Sequence, residues 1–350
     1  MAINFEKKWQ HIKLRVSSNR DDLLSWYLKN KRDLPWRKNR DAYAIWISEV
    51  MLQQTTVTAV RPFYEKFMKR FPQISDLAQS RIEDVYEYWA GLGYYSRARN
   101  LHKSAQEIFK LVQIGEGFPR TAAQLLELPG FGPYTSRAVA SLAFSEKVGV
   151  LDGNVIRILT RVYGLDLNWW VTAEKNFLQK ISDEFAQSNQ SHDINQALME
   201  LGATVCTPKK PFCLMCPWMK SCQSFKEGKV LERPKSKPKP DYEMWHWTFY
   251  VETKNGKIYL SENSETPFLK KLMLPKNSAV KITKKPESFV FKHSVTKYDL
   301  FIDLKPVNKK LKTGPAVELL SAAAESRWID IKNVSQINPT SLMKKILERV

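Results

Sequence analysis

The four cysteines of this chain constrain its fold more than any other feature. Cys206, Cys213, Cys216 and Cys222 fall within 17 residues, and the other 333 residues contain none. The disulfide framework of a secreted domain spreads its cysteines along the chain, whereas in a reducing compartment such a cluster is typical of a metal or iron-sulfur site. Four thiolates can bind zinc or a [4Fe-4S] cluster, and four unligated buried thiols are the remaining alternative.

The spacing of these cysteines favours one compact ligand. It follows the pattern Cys-x6-Cys-x2-Cys-x5-Cys, and Pro208, Pro211 and Pro217 stiffen the loops between the thiols. Zinc ribbons usually pair two short Cys-x-x-Cys units across a longer gap, whereas these four thiols wrap around a single object. We therefore expect a [4Fe-4S] cluster, with zinc as the alternative.

Length and charge set the broad class of the protein. A chain of 350 residues exceeds one typical domain, so we expect two or three packed units. The net charge of +19 suits a polyanionic partner such as nucleic acid, although lysines also serve simply to solvate a surface. We expect no membrane insertion, because no apolar run approaches ~18 residues and the N-terminus lacks the features of a signal peptide. An intracellular protein is expected, in the cytoplasm or nucleoid if the source is bacterial.

The composition changes at one place along the chain. Up to about residue 222, apolar residues recur at three- and four-residue spacings and predict helices. Residues 226–241 are rich in proline and lysine and predict an extended linker. Beyond the linker, residues 245–252, 257–262 and 298–304 predict strands, with Asn255-Gly256 as a turn, and two short helices follow.

A glycine-rich turn precedes one of the predicted helices. Residues 128–135 have the sequence LPGFGPYT, in which Gly130 and Gly132 permit positive φ angles and close approach of the backbone. Free amides at the start of the following helix can point at a phosphate oxygen and grip DNA without reading its sequence. An ordinary turn between two helices is the alternative.

Two carboxyl groups stand out by their position. Glu49 and Ser48 are the only polar residues between Ala44 and Leu52. A carboxyl that faces inward there resists ionisation and can donate a proton, whereas on the outer face of an amphipathic helix it is simply solvated. Asp152 precedes an apolar periodic helix, where it can cap the helix and where the helix amides would keep it ionised.

Together these motifs resemble a known enzyme family. The cysteine spacing resembles the iron-sulfur loop of the endonuclease III and MutY glycosylases. The LPGFG turn with Asp152 resembles the helix-hairpin-helix and Gly/Pro-Asp motif of their superfamily, and SEVMLQQT (48–55) is similar to the MutY segment that contains the catalytic glutamate. The matches run from Leu34 to Cys222. The chain thus resembles the MutY-type adenine DNA glycosylases.

The resemblance implies a mainly α-helical N-terminal glycosylase fold and a C-terminal α+β, MutT-like (Nudix-like) domain. The C-terminal part lacks the Gly- and Glu-rich motif of Nudix hydrolases, so we expect no nucleotide hydrolysis from it. The expected boundaries are 1–225 for the catalytic region, with a six-helix barrel over 36–146 and an iron-sulfur domain from 1–35 and 147–225, 226–241 for the linker, and 242–350 for the Nudix-like domain.

The implied activity is the hydrolytic removal of adenine mispaired with 8-oxoguanine or guanine in duplex DNA. Glu49 would act as general acid on the adenine, and Asp152 would stabilise or trap the sugar oxocarbenium ion. Tyr134 stands where the lyases of the superfamily have a lysine, so it forms no Schiff base and the enzyme is expected to be monofunctional. Asn154 would help to hold the sugar and the catalytic groups.

The resemblance also implies which residues contact DNA. A flipped adenine requires side chains that fill the gap in the duplex, and Gln54 and Tyr94 match the pair that intercalates around 8-oxoguanine, with Thr55 and Leu92 against that base. Packing in the core is the alternative for Tyr94. The other expected contacts are the two glycines of the turn and three residues near the adenine pocket: Gly130, Gly132, Arg32, Trp36 and Arg37. We expect a monomer that binds double-stranded DNA, and the sequence identifies no protein partner.

One departure from the family lies in the C-terminal domain. The family senses 8-oxoguanine with a Phe-Ser-His turn, and alignment through Phe291-Lys292-His293 and Leu300 places Val295-Thr296-Lys297 there. Thr296 keeps a hydroxyl that can report the altered base, whereas Lys297 replaces the histidine with a cation expected to seek phosphate. We therefore expect weaker discrimination between 8-oxoguanine and guanine.

Two other functions fit parts of the sequence. One is an endonuclease III-like glycosylase and lyase that acts on oxidised pyrimidines, which Tyr134 and the long C-terminal domain disfavour. The other is a non-catalytic sensor of DNA structure, which the joint presence of Glu49, Asp152 and Tyr134 disfavours.

Overall fold

The structure, a computed structural model, divides the chain into two units. The first comprises Met1–Ser80 and Tyr94–Pro238, and the second comprises Arg81–Gly93 and Lys239–Val350. The first unit extends into the predicted linker, and Arg81–Gly93, which we assigned to the catalytic region, groups with the C-terminal residues. Among the residues described, no helix is long and apolar enough to cross a membrane. The described residues are 5–238, 241–264, 266–307, 326–338 and 340–350.

The first unit is helical, as the apolar spacing predicts. No strand occurs within residues 5–238. In the same stretch of sequence, α5 (Ile82–Trp89) belongs to the second unit, and 3-10 turns cover Pro35–Arg37 and Cys213–Met215. The helices of the first unit are α1 (Phe5–Asn30), α2 (Ala42–Leu52), α3 (Val57–Arg70), α4 (Ile74–Ala78), α6 (Tyr95–Gln113), α7 (Ala122–Leu126), α8 (Pro133–Phe144), α9 (Gly153–Tyr163), α10 (Thr172–Ala186), α11 (Ser191–Thr204) and α12 (Gln223–Lys226).

Helix α2 carries Glu49 into the interior of this unit. The Asp41 carboxylate caps its start and accepts hydrogen bonds from the Tyr43 and Ala44 amides at 3.3 and 3.1 Å. Every residue from Ala42 to Met51 is buried, so the helix is enclosed on all sides. A solvated outer face for Glu49 is therefore excluded.

The LPGFG segment forms the turn between α7 and α8. Gly130 has a φ of +80°, and a Cβ atom there would lie 2.6 Å from the Cβ atom of Asn100, so both conformation and space require glycine. Gly132 has a φ of −90° and is the N-cap of α8, with Pro133 as the first helical residue. The expected positive φ is thus correct for Gly130 and wrong for Gly132, whose conformation any residue can adopt.

A hydrophobic core joins α1 to α9, α10, α11 and residues 206–222, here called the cysteine segment. Trp9, Tyr27, Phe185 and Trp218 are among its buried members. The Trp218 indole N–H donates to the Asn19 carbonyl at 2.8 Å, across 199 positions of sequence. The cysteine segment therefore packs against α1, although most of the sequence of the first unit lies between them.

The described residues of the second unit form two four-stranded sheets. In one, with order β5-β1-β7-β6, β1 and β7 are parallel and the other pairs antiparallel. In the other, β3 pairs with β2, β4 and β8, all antiparallel. The strands are β1 (Glu243–Val251), β2 (Thr253–Lys254), β3 (Lys257–Glu262), β4 (Met273–Leu274), β5 (Lys276–Ile282), β6 (Phe291–Val295), β7 (Tyr298–Pro306) and β8 (Ser326–Asp330).

The strand and turn predictions for this part of the chain are confirmed. Residues 257–262 coincide with β3, and Asn255 and Gly256, at φ values of 52° and 73°, form the turn that joins it to β2. A 3-10 turn at Ile331–Asn333 leads into two short helices, α13 (Val334–Ile337) and α14 (Ser341–Leu347). The α+β class expected for the C-terminal domain is therefore correct.

Candidate active site

A cavity of about 950 Å³ in the first unit brings the predicted catalytic residues together. Its volume suits a small organic group such as a nucleoside. The side chains that line it come from segments that are far apart in sequence, among them α2, α8, α9 and α11. Among the lining residues are Glu49, Tyr134, Asp152, Asn154, Arg32, Trp36, Arg37, Gln54, Thr55, Gly130 and Gly132.

Glu49 and Tyr134 form a buried hydrogen-bonded pair at the wall of this cavity. Glu49 is 6% exposed, and its Oε2 atom accepts a hydrogen bond from the Tyr134 hydroxyl at 2.8 Å. Burial raises the pKa of Glu49 from 4.5 to about 7; the Tyr134 hydrogen bond and the Arg37 charge oppose this rise, and the Asp152 charge adds to it. A large fraction of Glu49 carboxyls therefore holds a proton at neutral pH, as the sequence predicts.

Tyr134 remains a hydrogen-bond donor at any physiological pH. Burial raises the pKa of its hydroxyl well above the ordinary value of 10.0, and the Glu49 and Asp152 charges act in the same direction. The hydroxyl also lies 3.2 Å from the Met199 sulfur. Tyr134 thus fixes one oxygen of Glu49 and leaves the other, Oε1, to carry the proton.

Asp152 is both a helix cap and a wall of the cavity. Its Oδ1 atom accepts from the Val155 amide at 2.8 Å, and its Oδ2 atom accepts from the Asn154 side-chain amide at 2.8 Å. These hydrogen bonds favour the anion, as the sequence predicts, but burial outweighs them and raises the pKa of Asp152. The amides at the helix start therefore do not by themselves determine the pKa of Asp152. The effect of burial was not predicted from the sequence.

A chain of hydrogen bonds leads from Asp152 to the cysteine segment. Arg157 Nη2 donates to Asn154 Oδ1 at 2.8 Å, and Arg157 Nε donates to the Cys206 carbonyl at 2.7 Å. Arg157 Nη2 also donates to the Gly202 carbonyl at 2.8 Å. Asn154 is thereby held between the carboxylate and a guanidinium that is itself anchored at Cys206.

A buried carboxylate, Glu200, organises another part of the cavity lining. Glu200 has no exposed side-chain surface, and it accepts hydrogen bonds from Arg32 Nε at 2.6 Å and from Arg37 Nη2 at 2.8 Å. Burial by itself raises the pKa of Glu200, but the hydrogen bonds from the two arginines lower it below its ordinary value. Arg32, Trp36 and Arg37 were predicted from the sequence, whereas Glu200 was not, because 163 positions separate it from Arg37.

The two residues predicted to intercalate both lie in left-handed turns. Gln54 is exposed at a φ of 59°, and Tyr94 is 51% exposed at a φ of 49°, which excludes core packing for Tyr94. Non-glycine residues at positive φ are uncommon and often occur at functional sites. Thr55 is half-buried, whereas Leu92 is buried. The contacts of these residues with DNA stay predictions.

The four cysteines lie around one small space. All four are free thiols, and with Pro211 and Trp218 they line a cavity of about 20 Å³. The buried Arg161 places Nη1 3.4 Å from the Cys206 sulfur and 2.8 Å from the Thr207 carbonyl. In the described part of the chain, no group of three or more His, Cys, Asp or Glu residues is positioned to hold a single metal ion.

Comparison with known proteins decides the family. Residues 47–184 match the family model described as the HhH-GPD superfamily base excision DNA repair protein. The chain is 33% identical over 347 residues to the adenine DNA glycosylase of Buchnera aphidicola subsp. Schizaphis graminum, an alignment that covers 93% of this chain and 96% of the relative. This chain belongs to the adenine DNA glycosylase family.

Two further relatives of this adenine DNA glycosylase family member define the extent of the similarity. The mouse adenine DNA glycosylase is 44% identical over 219 residues, which are 60% of this chain and 42% of the mouse protein, so the chain spans less than half of that relative. The solved structure of a thermostable thymine-DNA glycosylase matches 61% of this chain and 97% of its own, with a TM-score of 0.55 and 29% identity. The helix-hairpin-helix fold implied by the resemblance is confirmed.

The C-terminal turn of this adenine DNA glycosylase family member requires one correction. Thr296 lies at the tip of the β6–β7 hairpin at a φ of 52° and is exposed. Lys297, expected to seek phosphate, instead pairs with Glu243, with Nζ 2.5 Å from Oε1, while Lys281 Nζ lies 3.0 Å from Oε2. The hydrogen bonds from these lysines lower the pKa of Glu243 to about 2. The parallel pairing of β1 with β7 brings Lys297 to Glu243, and the antiparallel pairing of β1 with β5 brings Lys281 there. The sequence alone reveals neither pairing.

The burial of Glu49 generates a prediction about stability. In an unfolded chain its carboxyl ionises near pH 4.5, whereas in the folded protein it ionises near pH 7. A raised pKa stabilises the fold fully below pH 4.5, and this contribution is lost as pH rises through 7. Because glutamine is neutral throughout, we expect Glu49→Gln to gain stability relative to wild type between pH 4.5 and 7, by on the order of 3 kcal/mol, and to keep that gain above pH 7.

Chemical denaturation of both proteins at intervals from pH 4 to pH 9 measures this difference. Glu65→Gln is the matched control, since it removes an exposed carboxylate that pairs with Arg61. The difference in unfolding free energy between this variant and wild type should not show the pH dependence expected for Glu49→Gln. A constant difference between Glu49→Gln and wild type across the range would contradict a raised pKa.

Proposed function

We propose that this protein is a base-excision repair DNA glycosylase that flips out adenine mispaired with 8-oxoguanine or guanine in duplex DNA and hydrolyses its glycosidic bond. The observation that carries the proposal is the buried Glu49–Tyr134 pair, which shares one cavity with Asp152. The relatives compared above are adenine DNA glycosylases, which supports the choice of base.

Glu49 would donate the proton that makes adenine a leaving group. Its pKa of about 7 means that the acid form is present and that transfer to a purine nitrogen is not strongly opposed. Since Oε2 already accepts from Tyr134, the proton resides on Oε1. In the proposed mechanism, proton transfer from Oε1 accompanies cleavage of the bond between adenine and the sugar.

Asp152 would stabilise the positive charge that then develops on the sugar. A sugar cation in the cavity favours the ionised form of Asp152, whose oxygens are already oriented by the Val155 amide and Asn154. In the proposed mechanism, a water oxygen then bonds to the cationic sugar carbon, and the proton that this water loses passes to the Glu49 carboxylate, which restores the acid. Tyr134 has no amine to attack the sugar, so we propose a monofunctional enzyme without a Schiff-base intermediate.

The part of the cavity lined by Arg32, Trp36 and Arg37 would recognise the adenine. Glu200 holds Arg32 and Arg37 in fixed orientations, and Trp36 is buried beside them. Hydrogen-bond donors that a buried carboxylate orients in this way can discriminate among the edges of a flipped base. We propose Arg32, Trp36 and Arg37 as the adenine pocket, with Glu200 as the group that positions both arginines.

The duplex would be opened by the exposed turn residues Gln54 and Tyr94. Both would fill the gap that the flipped adenine leaves, with Thr55 and Leu92 against the opposite base. The Gly130 turn and the start of α8 at Gly132 would grip the phosphate backbone through main-chain amides. The net charge of +19 supports DNA as the partner, bound by a monomer. With chromosomal DNA as substrate, we place the protein inside the cell, in the nucleoid if its source is bacterial.

The cysteine segment would hold a [4Fe-4S] cluster. Four free thiols around one small space, with the Arg161 guanidinium beside Cys206 to offset thiolate charge, are the donor set such a cluster requires. When bound, the cluster supplies a link among Cys206, Cys213, Cys216 and Cys222 and a one-electron redox centre. The hydrogen bond from Arg157 to the Cys206 carbonyl would connect this link to Asn154 in the active site.

Thr296 would recognise the lesion opposite adenine by contacting it. Its exposed hydroxyl at the hairpin tip is suited to a polar contact with 8-oxoguanine. Lys297 is held by Glu243 and offers no neutral ring nitrogen, so we propose that selectivity for 8-oxoguanine over guanine is weaker than in relatives with a Phe-Ser-His turn.

One assay tests the proposed reaction. The purified protein is incubated in excess over a duplex with a single A:8-oxoguanine pair, and alkali then cleaves the abasic sites. We expect product from wild type, and a rate lower by about 10²-fold or more in Glu49→Gln and in Asp152→Asn, with duplex binding retained. Glu65→Gln is the matched control and should cleave at the wild-type rate.

The same assay distinguishes the alternatives. No product from wild type would refute the proposed reaction and favour a DNA-structure sensor. A covalent adduct trapped by borohydride would favour an endonuclease III-like lyase. An A:G duplex measures selectivity, and a preference for 8-oxoguanine equal to that of a Phe-Ser-His enzyme would refute the proposed role of Val295-Thr296-Lys297.

The cofactor generates a separate prediction. We expect the purified protein to be brown and to contain about four iron atoms and four labile sulfides per chain. Cys213→Ala should lose most of this iron, whereas Ser221→Ala, a conservative change within the same segment, should retain it. Metal and sulfide analysis of the anaerobically purified proteins decides the matter, and a colourless protein with one zinc per chain would contradict the proposed cluster.

A further inference from the structure

Arg97 connects two parts of the first unit that the proposed reaction uses separately. It lies in the first turn of α6, directly after the turn that carries Tyr94. From there its Nη1 atom reaches the end of α2, where it lies 2.8 Å from the Val50 carbonyl oxygen, 3.3 Å from that of Met51 and 2.6 Å from that of Gln53. One guanidinium nitrogen thus lies near three carbonyl oxygens at the end of one helix.

The electrostatics of a helix end explain this arrangement. The last carbonyl groups of a helix have no partner within the helix and carry a partial negative charge. Within its own last turn, α2 has no basic residue. The positive charge that complements the α2 terminus therefore comes from α6, and it binds the two helices at this point.

The end of α2 carries Glu49 and leads into Gln54, and the proposed reaction depends on the positions of both side chains. Glu49 directly precedes Val50, so the orientation of the final turn fixes the direction of its carboxyl. The Gln53 side chain donates to the Thr135 hydroxyl at 3.1 Å, which ties the same terminus to α8 and to Tyr134. Gln54 follows in a left-handed turn. A shift of this terminus would move the proposed acid and one proposed intercalating residue together.

The other side of Arg97 contacts the second proposed intercalating residue. Its guanidinium carbon lies 5.4 Å from the centroid of the Tyr94 ring, and its backbone amide donates to the Tyr94 carbonyl at 2.8 Å. Beside Arg97, a space of about 130 Å³ is lined by Trp46, Val50 and Gln53. That space allows the α2 terminus to move when its anchor is removed.

We propose that Arg97 is a positioning residue that joins the Tyr94 turn to the α2 terminus, so that contact of Tyr94 with the duplex and orientation of the Glu49 carboxyl depend on each other. The catalytic part of this inference rests on the proposed function. The mechanical part, the anchoring of the α2 terminus by Arg97, does not. The two parts are therefore measured separately.

The mechanical part is tested by amide hydrogen exchange and mass spectrometry on the full chain. We expect Arg97→Leu to exchange at least about tenfold faster than wild type in peptides covering residues 50–56, and Arg97→Lys, which keeps a donor, to fall between the two. Arg20→Leu is the matched control, because it removes a guanidinium that donates to the Glu184 carbonyl, between α1 and α10. Its exchange in residues 50–56 should equal that of wild type.

The catalytic part is tested by single-turnover excision of adenine together with 2-aminopurine fluorescence beside the mispair. Arg97→Leu should excise about 10- to 100-fold more slowly than wild type and show reduced unstacking of the duplex, while Arg97→Lys recovers part of both signals. Arg20→Leu should match wild type in rate even if its melting temperature falls as far as that of Arg97→Leu.

Each outcome bears on the inference. Unchanged exchange in residues 50–56 of Arg97→Leu would overturn it, whatever the enzyme's activity. If Arg97→Leu shows faster amide exchange but excises adenine and unstacks the duplex as wild type does, the catalytic part is overturned while the proposed function stands. If wild type excises no adenine, the proposed function fails, and the exchange and unstacking measurements still decide whether Arg97 couples the two turns.

Discussion

The hydrogen bond between the Tyr134 hydroxyl and the Glu49 carboxyl links α8 to α2 at the wall of the cavity, and the chemistry proposed for this protein depends on it. A carboxylate is costly to bury without compensating partners, whereas a neutral carboxylic acid with one good hydrogen bond costs far less. An enclosed α2 with a single phenol donor therefore retains a proton on Glu49. A stronger donor, such as a guanidinium, would have removed it.

The two carboxyl groups in one cavity have different surroundings, and the different roles proposed for them follow from that difference. Glu49 has one donor on a buried helix, whereas Asp152 has a helix-start amide and the Asn154 amide on its two oxygens. Pairs of titratable groups with such contrasting environments are typical of acid and anion assignments in active sites. The Arg157 guanidinium continues the chain of hydrogen bonds from Asn154 to Cys206, so the cysteine segment and the cavity share one hydrogen-bonded framework.

Local patterns in the sequence were sufficient for much of this account. The apolar run around Glu49 left both an inward and a solvated position open, and the resemblance of residues 48–55 to the MutY segment favoured the inward one. The position of Asp152 predicts a helix cap, and residues 257–262 predict β3. Contacts between distant segments were not predictable in this way. The pairing of Glu200 with Arg32 and Arg37 requires the packing of α11, and that of Lys297 with Glu243 requires the parallel register of β1 and β7. Neither leaves a signal in a single sequence.

In the proposed mechanism, the proton on Glu49 is the one transferred to adenine. The single-turnover rate of adenine excision as a function of pH tests it most directly, at saturating enzyme and with DNA binding verified at each pH. The account predicts a rate that is constant at low pH and falls about tenfold per pH unit above about 7, the pKa of the buried carboxyl, with no such step in Glu49→Gln. A wild-type rate that stays constant or rises up to pH 9 would contradict it.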